Sequence, residues 1–124
     1  MSDSKRVILC IDDDPDVLSV LQILLESEGY GFAGAATAEE GLRVYREVQP
    51  DLIIVDLMME EIDAGTSFVK ELQRLGNRKP VFLLSSVGDN LTATIDATDL
   101  GLAGVLQKPL AKPQLLAMLK SKLG

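Results

Sequence analysis

The sequence contains no histidine. That removes the commonest general base and the commonest zinc ligand together, so any chemistry must come from carboxylates, hydroxyls and lysines. It has no tryptophan, and aromatic residues make up 4% of its 124 positions, which leaves few rings on which nucleic-acid bases could stack. Cations are also in the minority, with 12 Lys and Arg against 19 Asp and Glu for a net charge of −7. A nucleic-acid surface needs clustered cations to displace phosphate counterions, so direct DNA or RNA binding is not expected. The single cysteine, Cys10, lies inside an apolar run, where it reads as a small buried hydrophobe with no internal disulfide to form. Long hydrophobic runs are missing too. The longest strictly apolar ones, Val7 to Ile11 and Leu115 to Leu119, are far short of the roughly 20 residues of a membrane helix. The polar start and short first apolar run do not make a signal peptide. No membrane contact is expected, and the expected location is cytoplasmic.

What is present is core material, 47% hydrophobic residues in a chain of one-domain size, so residues 1–124 are expected to form a single domain. Short β-rich runs alternate with helical patterns. Arg6 to Ile11 reads as a buried strand, followed by Val17, Leu18, Val20, Leu21, Leu24 and Leu25 at helical spacing until Gly29. A weaker strand near Phe32 to Ala35 leads to Thr37 and Glu40, a capping box for a helix that turns Leu42, Tyr45 and Val48 inward and ends before Pro50. Leu52 to Val55 precedes a helix with Phe68, Val69, Leu72 and Leu75 on one face. Val81 to Leu84 precedes a Thr-rich helix around Leu91 to Leu100. Val105 to Gln107 precedes a helix that has Pro113 in its first turn and turns Leu115, Leu116, Met118, Leu119 and Leu123 inward. These are five βα units. Strand runs that are apolar throughout imply burial on both faces, which predicts an α/β fold: a doubly wound five-stranded parallel sheet with helices on both faces.

Two motifs are decoys. Gly29, Gly31 and Gly34 match G-x-G-x-x-G, but a helix precedes them and a strand follows, the reverse of a dinucleotide site. Asp12, Asp14 and Asp16 imitate the start of a calcium loop, yet Val17 stands where its glycine is needed and Ile23 where its glutamate is. In a doubly wound sheet, ligands bind outside the carboxyl ends of the strands. Those ends are Asp12 and Asp13, then Asp56, then Ser85 and Ser86, then Lys108 followed by Pro109. Three carboxylates crowded together repel, and a divalent cation among them resolves the repulsion. With only oxygen ligands the expected ion is magnesium. Lys108 and Ser85 supply a charge and a hydroxyl suited to phosphate oxygens, so the set reads as a phosphoryl-transfer site with a carboxylate nucleophile. Asp14, just before Pro15, reads instead as a helix cap.

Ile11-Asp12-Asp13-Asp14-Pro15, Asp51-Leu52-Ile53-Ile54-Val55-Asp56, Leu84-Ser85-Ser86 and Lys108-Pro109, together with the fivefold βα rhythm, resemble a bacterial two-component response-regulator receiver domain of the chemotaxis-regulator type. The resemblance covers essentially the whole chain and implies a flavodoxin-like fold. It implies that Asp56 accepts phosphoryl from a sensor histidine kinase or phosphotransfer protein, whose own histidine supplies the one missing here. It also implies that Asp12, Asp13, Asp56 and the Met58 carbonyl hold Mg2+, that Ser85 and Lys108 contact the phosphoryl oxygens, and that the output passes to a downstream effector protein through protein contacts. Such a domain is a phosphoacceptor rather than an enzyme that turns over a separate substrate.

The sequence departs from that pattern in places. Glu60 follows Met59 where the family usually has proline, and Gly65 comes one residue late, so a longer loop is expected from Met58 to Gly65. Val105 stands where the family often has an aromatic residue, and Met58 and Val87 put apolar side chains beside the path of attacking water, which implies a long-lived phosphorylated state. Two other readings compete. One is a pseudo-receiver, an interaction module that keeps the fold without using phosphorylation. The other is a magnesium-dependent phosphohydrolase with an aspartate nucleophile, but that chemistry wants a second aspartate where Met58 stands.

Overall fold

The computed structural model describes residues 6–56, 64–85, 103–107 and 111–123, with the backbone alone for residues 64–67, 85, 105 and 107. Five short strands form one parallel sheet: β1 (Val7–Ile11), β2 (Gly31–Ala35), β3 (Leu52–Asp56), β4 (Val81–Ser85) and β5 (Gly104–Gln107). Their order is β2-β1-β3-β4-β5. The chain therefore winds outward one way from β1 to β2, then crosses back to β3 and winds the other way, which is the doubly wound topology expected. Register is continuous across the centre, with Ile11 opposite Val55 and Asp56 opposite Leu84. Strand bounds differ from the sequence reading by a residue or so. Arg6 falls outside β1, while Asp56 and Ser85 are the last residues of β3 and β4, because ladder pairing extends beyond the apolar runs.

Alternation along the strands sorts the core into two layers. Leu9, Ile11, Ile53, Val55, Val81 and Leu83 face one way and pack with Phe68, Val69 and Leu72 of α3 (Ala64–Arg74) and with Leu42 and Tyr45 of α2 (Ala38–Val48). Ile8, Cys10, Leu52, Ile54, Phe82 and Leu84 face the other way and pack with Leu21 and Leu25 of α1 (Pro15–Ser27) and with Leu115 and Leu119 of α4 (Lys112–Leu123). Side chains in a strand point alternately to opposite faces, so a run that is apolar at every position needs a helix layer on each side. The helix expected around Leu91 to Leu100 lies outside the described residues.

Caps set the helix ends. The Asp14 carboxylate accepts the Asp16 N–H at 2.9 Å, and Pro15 occupies the first turn, where its missing donor costs nothing. Gly29 then takes a left-handed φ of +86°, which ends α1 at low steric cost. At the start of α2, Thr37 Oγ1 accepts the Glu40 N–H at 3.1 Å, as expected. The return bond runs from the Ala36 N–H to Glu40 Oε1 at 2.9 Å, one residue earlier than in a regular capping box. Gly41 lets α2 lie close on the sheet: a Cβ there would stand 2.8 Å from Ile11 Cδ1 and 3.1 Å from Phe68 Cε1.

Three expected core positions face solvent. Val20 is 50% exposed, Val48 38% and Leu75 39%. Val20 flanks the stripe that buries Leu21 and Leu25. Val48 ends α2 and Leu75 follows the last residue of α3, where helical spacing continues but the layer beneath does not. α3 begins at Ala64, so Gly65, expected to close the loop, belongs to the first turn of the helix; residues 57–63 of the expected long loop lie outside the described residues.

Candidate functional site

The site is built from the ends of β1 and β3, the two strands that flank the reversal in strand order. Asp56 closes β3, a strand buried at every position, and is itself 4% exposed. Asp12 follows β1 and is fully buried; its N–H still pairs with the Ala35 carbonyl at 3.1 Å, so it sits on a continued ladder and not on a free loop. Asp12 Oδ1 accepts the Asp14 N–H at 2.9 Å, which orients the carboxylate as the chain turns into α1. Asp13, between them, is exposed. One carboxylate oxygen from each of Asp12, Asp13 and Asp56 lies within 4.8 Å of the others.

Two unit charges at that separation repel by ~3 kcal/mol at an effective dielectric near 20. A divalent cation turns that cost into attraction. The donors are oxygen alone, which suits a hard ion, and oxygens on one octahedral magnesium lie about 2.9 Å apart when adjacent and about 4.2 Å when opposite, so the carboxylates would draw together around the ion. Two of the three carboxylates are buried and one is open to solvent, an arrangement that leaves an approach for water or a phosphoryl group.

Ser85 is the last residue of β4, paired with Gln107 and one position beyond the level of Asp56. The backbone thus brings it to the rim expected for it. Val105 lies within β5, paired with Leu83. Met58, Ser86, Val87, Lys108 and Pro109 lie outside the described residues. Cys10 is buried, and burial, reinforced by the neighbouring Asp12 carboxylate, pushes its thiol well above the ordinary range, so it takes no part in nucleophilic chemistry. Asp51 has a structural role that no motif announces. Its Oδ2 accepts the Val7 N–H at 2.9 Å and ties the start of β1 to the connection before β3.

Neighbouring aspartates in this turn have different work to do, and substitution separates them. Asp13→Ala is expected to weaken magnesium binding about tenfold or more by removing one ligand charge, with folding stability in metal-free buffer unchanged or raised. Asp14→Ala keeps the N–H that orients Asp12, so its magnesium affinity stays near wild type, but it loses the cap and about 0.5–2 kcal/mol of stability. Magnesium titration calorimetry and urea unfolding read the two effects; equal magnesium affinity in the two variants contradicts the assignment.

The sequence profile of the response regulator receiver domain matches residues 8–120. The chain belongs to this family. It is 37% identical over 115 residues to the transcriptional regulatory protein GlrR of Escherichia coli, covering 93% of this chain and 26% of that protein. It is 31% identical over 119 residues to the probable transcriptional regulator ycf27 of Porphyridium aerugineum, covering 96% and 48%. The chain thus spans half or less of the length of these relatives. Among solved structures, a putative response regulator from Chloroflexus aurantiacus superposes with a TM-score of 0.84 at 30% identity, covering 96% of this chain and 98% of that one. A CheY-like receiver domain from Methanospirillum hungatei superposes with a TM-score of 0.85 at 26% identity, covering 96% and 94%. As a receiver domain, the protein is a phosphoaccepting component of two-component signal transduction, and the Asp12, Asp13 and Asp56 cluster fits that function. Among the described residues, no helix is long and apolar enough to cross a membrane.

Proposed function

We propose that Asp56 is the phosphoacceptor and that residues 1–124 act as one cytoplasmic receiver domain. A carboxylate oxygen of Asp56 attacks phosphorus of a phosphohistidine on a sensor histidine kinase or phosphotransfer protein. The O–P bond forms, the N–P bond breaks, and the donor imidazole leaves with the bonding pair and takes a proton from solvent. Asp12 and Asp13, with Asp56 and the Met58 carbonyl, would hold Mg2+. When bound, the ion offsets the negative charge on the acceptor and the incoming phosphoryl group. Asp12, held by the Asp14 N–H, keeps its carboxylate aimed at the cluster. Ser85 and Lys108 are assigned to the phosphoryl oxygens. The output is a contact with an effector protein, without turnover of a separate substrate.

The observation that supports this most is the convergence of Asp12, Asp13 and Asp56 within 4.8 Å at the reversal in strand order. It favours the phosphoacceptor over a pseudo-receiver, since an interaction module has no need to gather three mutually repelling carboxylates. The wild-type chain is expected to gain one phosphoryl group from acetyl phosphate when magnesium is present, and to gain essentially none with chelator. Intact-mass spectrometry measures it. Labelling that ignores the chelator would count against the reading.

A further inference from the structure

At the end of the sheet opposite the acidic site, the connections that lead into β3 and β4 meet around a cleft of about 620 Å3. Its walls carry Arg46, Arg78 and Lys79, and among the described residues no acidic one lines it, in a chain whose net charge is −7. Among the described residues none of these three cations forms an ion pair. The Arg74 hydrogen bond, with a smaller contribution from Arg46, holds the Glu71 carboxyl below its ordinary range. Arg46 therefore feels that acid, but Arg74 already bonds it, at 3.1 Å through Nε.

The framework beneath the cations is fixed. Asn77 Oδ1 accepts the Tyr45 hydroxyl at 3.0 Å and the Lys79 N–H at 3.2 Å, and Asn77 Nδ2 donates to the Lys79 carbonyl at 3.0 Å. This joins α2 to the turn before β4, and Gly76, at φ +84°, makes that turn possible. Cations on a preorganised turn lose less freedom on binding than cations on a loose loop. Leu75, an exposed apolar side chain, also lines the cleft, as does Tyr45.

We propose that this cleft docks an acidic polypeptide segment of a partner protein, with carboxylates on Arg46, Arg78 and Lys79 and an apolar side chain against Leu75. A compact phosphate is a poorer fit. Both α2 and α3 end here, and helix C-terminal ends repel concentrated negative charge, whereas carboxylates strung along a peptide can each meet one rim cation. The surface lies at the far end of the strands from Asp56, so the proposal stands apart from phosphoacceptance.

The test uses the full 15N-labelled chain and a synthetic peptide of about ten residues, mostly Glu and Asp with two Leu, beside its Gln and Asn counterpart. The acidic peptide is expected to shift the amides of Gly76, Asn77, Arg78 and Lys79 and to bind more weakly as salt rises. R46E/R78E/K79E should weaken it at least about tenfold, and L75S should weaken it to a lesser degree, with amide spectra and unfolding midpoints confirming that both variants are folded. Any of four results overturns the proposal: no cleft shifts at about 1 mM peptide; equal binding of the neutral peptide or of the charge-reversed variant; the same shifts from inorganic phosphate or ATP at lower concentration, which makes it a small-anion site; or concentration-dependent changes at these amides without peptide, which makes the occupant a second copy.

Discussion

Asp56→Asn is expected to reduce phosphoryl uptake from acetyl phosphate by at least about 10³-fold while leaving the protein folded. The substitution keeps the shape of the side chain and one oxygen, so the closing residue of β3, paired with Leu84 of β4, should hold its place in the sheet. What it removes is the anionic oxygen that forms the bond to phosphorus. It also removes one charge of the three gathered within 4.8 Å, which lowers their mutual repulsion in metal-free buffer and weakens magnesium binding. Loss of labelling alone would leave two explanations, a missing nucleophile or a missing metal ligand, and Asp13→Asn separates them. With Asp56 intact, that variant should still be labelled at high magnesium, only with a higher magnesium requirement. If Asp56→Asn were labelled at a rate comparable to wild type, the acceptor would have to be another residue, and the assignment would fall.

The sheet and its acidic rim were legible in the sequence because both rest on strong local signals. A run such as Leu52 to Val55, apolar at every position and ended by an aspartate, reports burial on two faces and the point where burial stops. Caps were legible for the same reason: Asp14 before Pro15, and Thr37 with Glu40 three residues on, declare themselves by residue type and spacing. Periodicity failed where it outran the layer beneath it. Val48 and Leu75 keep helical spacing with their neighbours, but they sit at the end of α2 and just past α3, and helical spacing carries no information about what lies below. The basic cleft could not be read at all. Its cations come from residues 46, 78 and 79, brought together only by packing of α2 beside the turn before β4, and a chain so acidic overall gives no sign of a local excess of positive charge. The early start of α3 was missed because Gly65 reads as a loop residue, whereas glycine in the first turn of a helix is tolerated when packing further along, here Phe68, Val69 and Leu72, holds the helix down.

Phe68→Ala is expected to cost about 3–5 kcal/mol of folding stability, the largest effect of any single core substitution considered for this protein. Phe68 is among the largest fully buried side chains and stands in the layer that joins α2 and α3 to β1 and β3. Its ring lies 3.1 Å from where a Cβ of Gly41 would be, and Ile11 Cδ1 lies 2.8 Å from the same position. Removing the ring therefore opens a void beneath a helix that is already as close to the sheet as its glycine allows. The surroundings have little room to collapse, which places the cost toward the upper part of the range. The same geometry predicts a coupling. Gly41→Ala alone adds helix propensity but crowds both Ile11 and Phe68, so it should be neutral or destabilising. In the Phe68→Ala background one of the two obstructions is gone, and the added methyl should be better tolerated than in the wild type. Urea unfolding of the four proteins closes the cycle. The expected sign is a coupling that makes the double variant more stable than the sum of the single changes. Strict additivity would mean that the approach of α2 to the sheet is not limited by this ring. Because Asp12 follows Ile11 directly along β1, the folded fraction of Phe68→Ala should still take up phosphoryl, more slowly if the void lets the end of β1 shift away from Asp56.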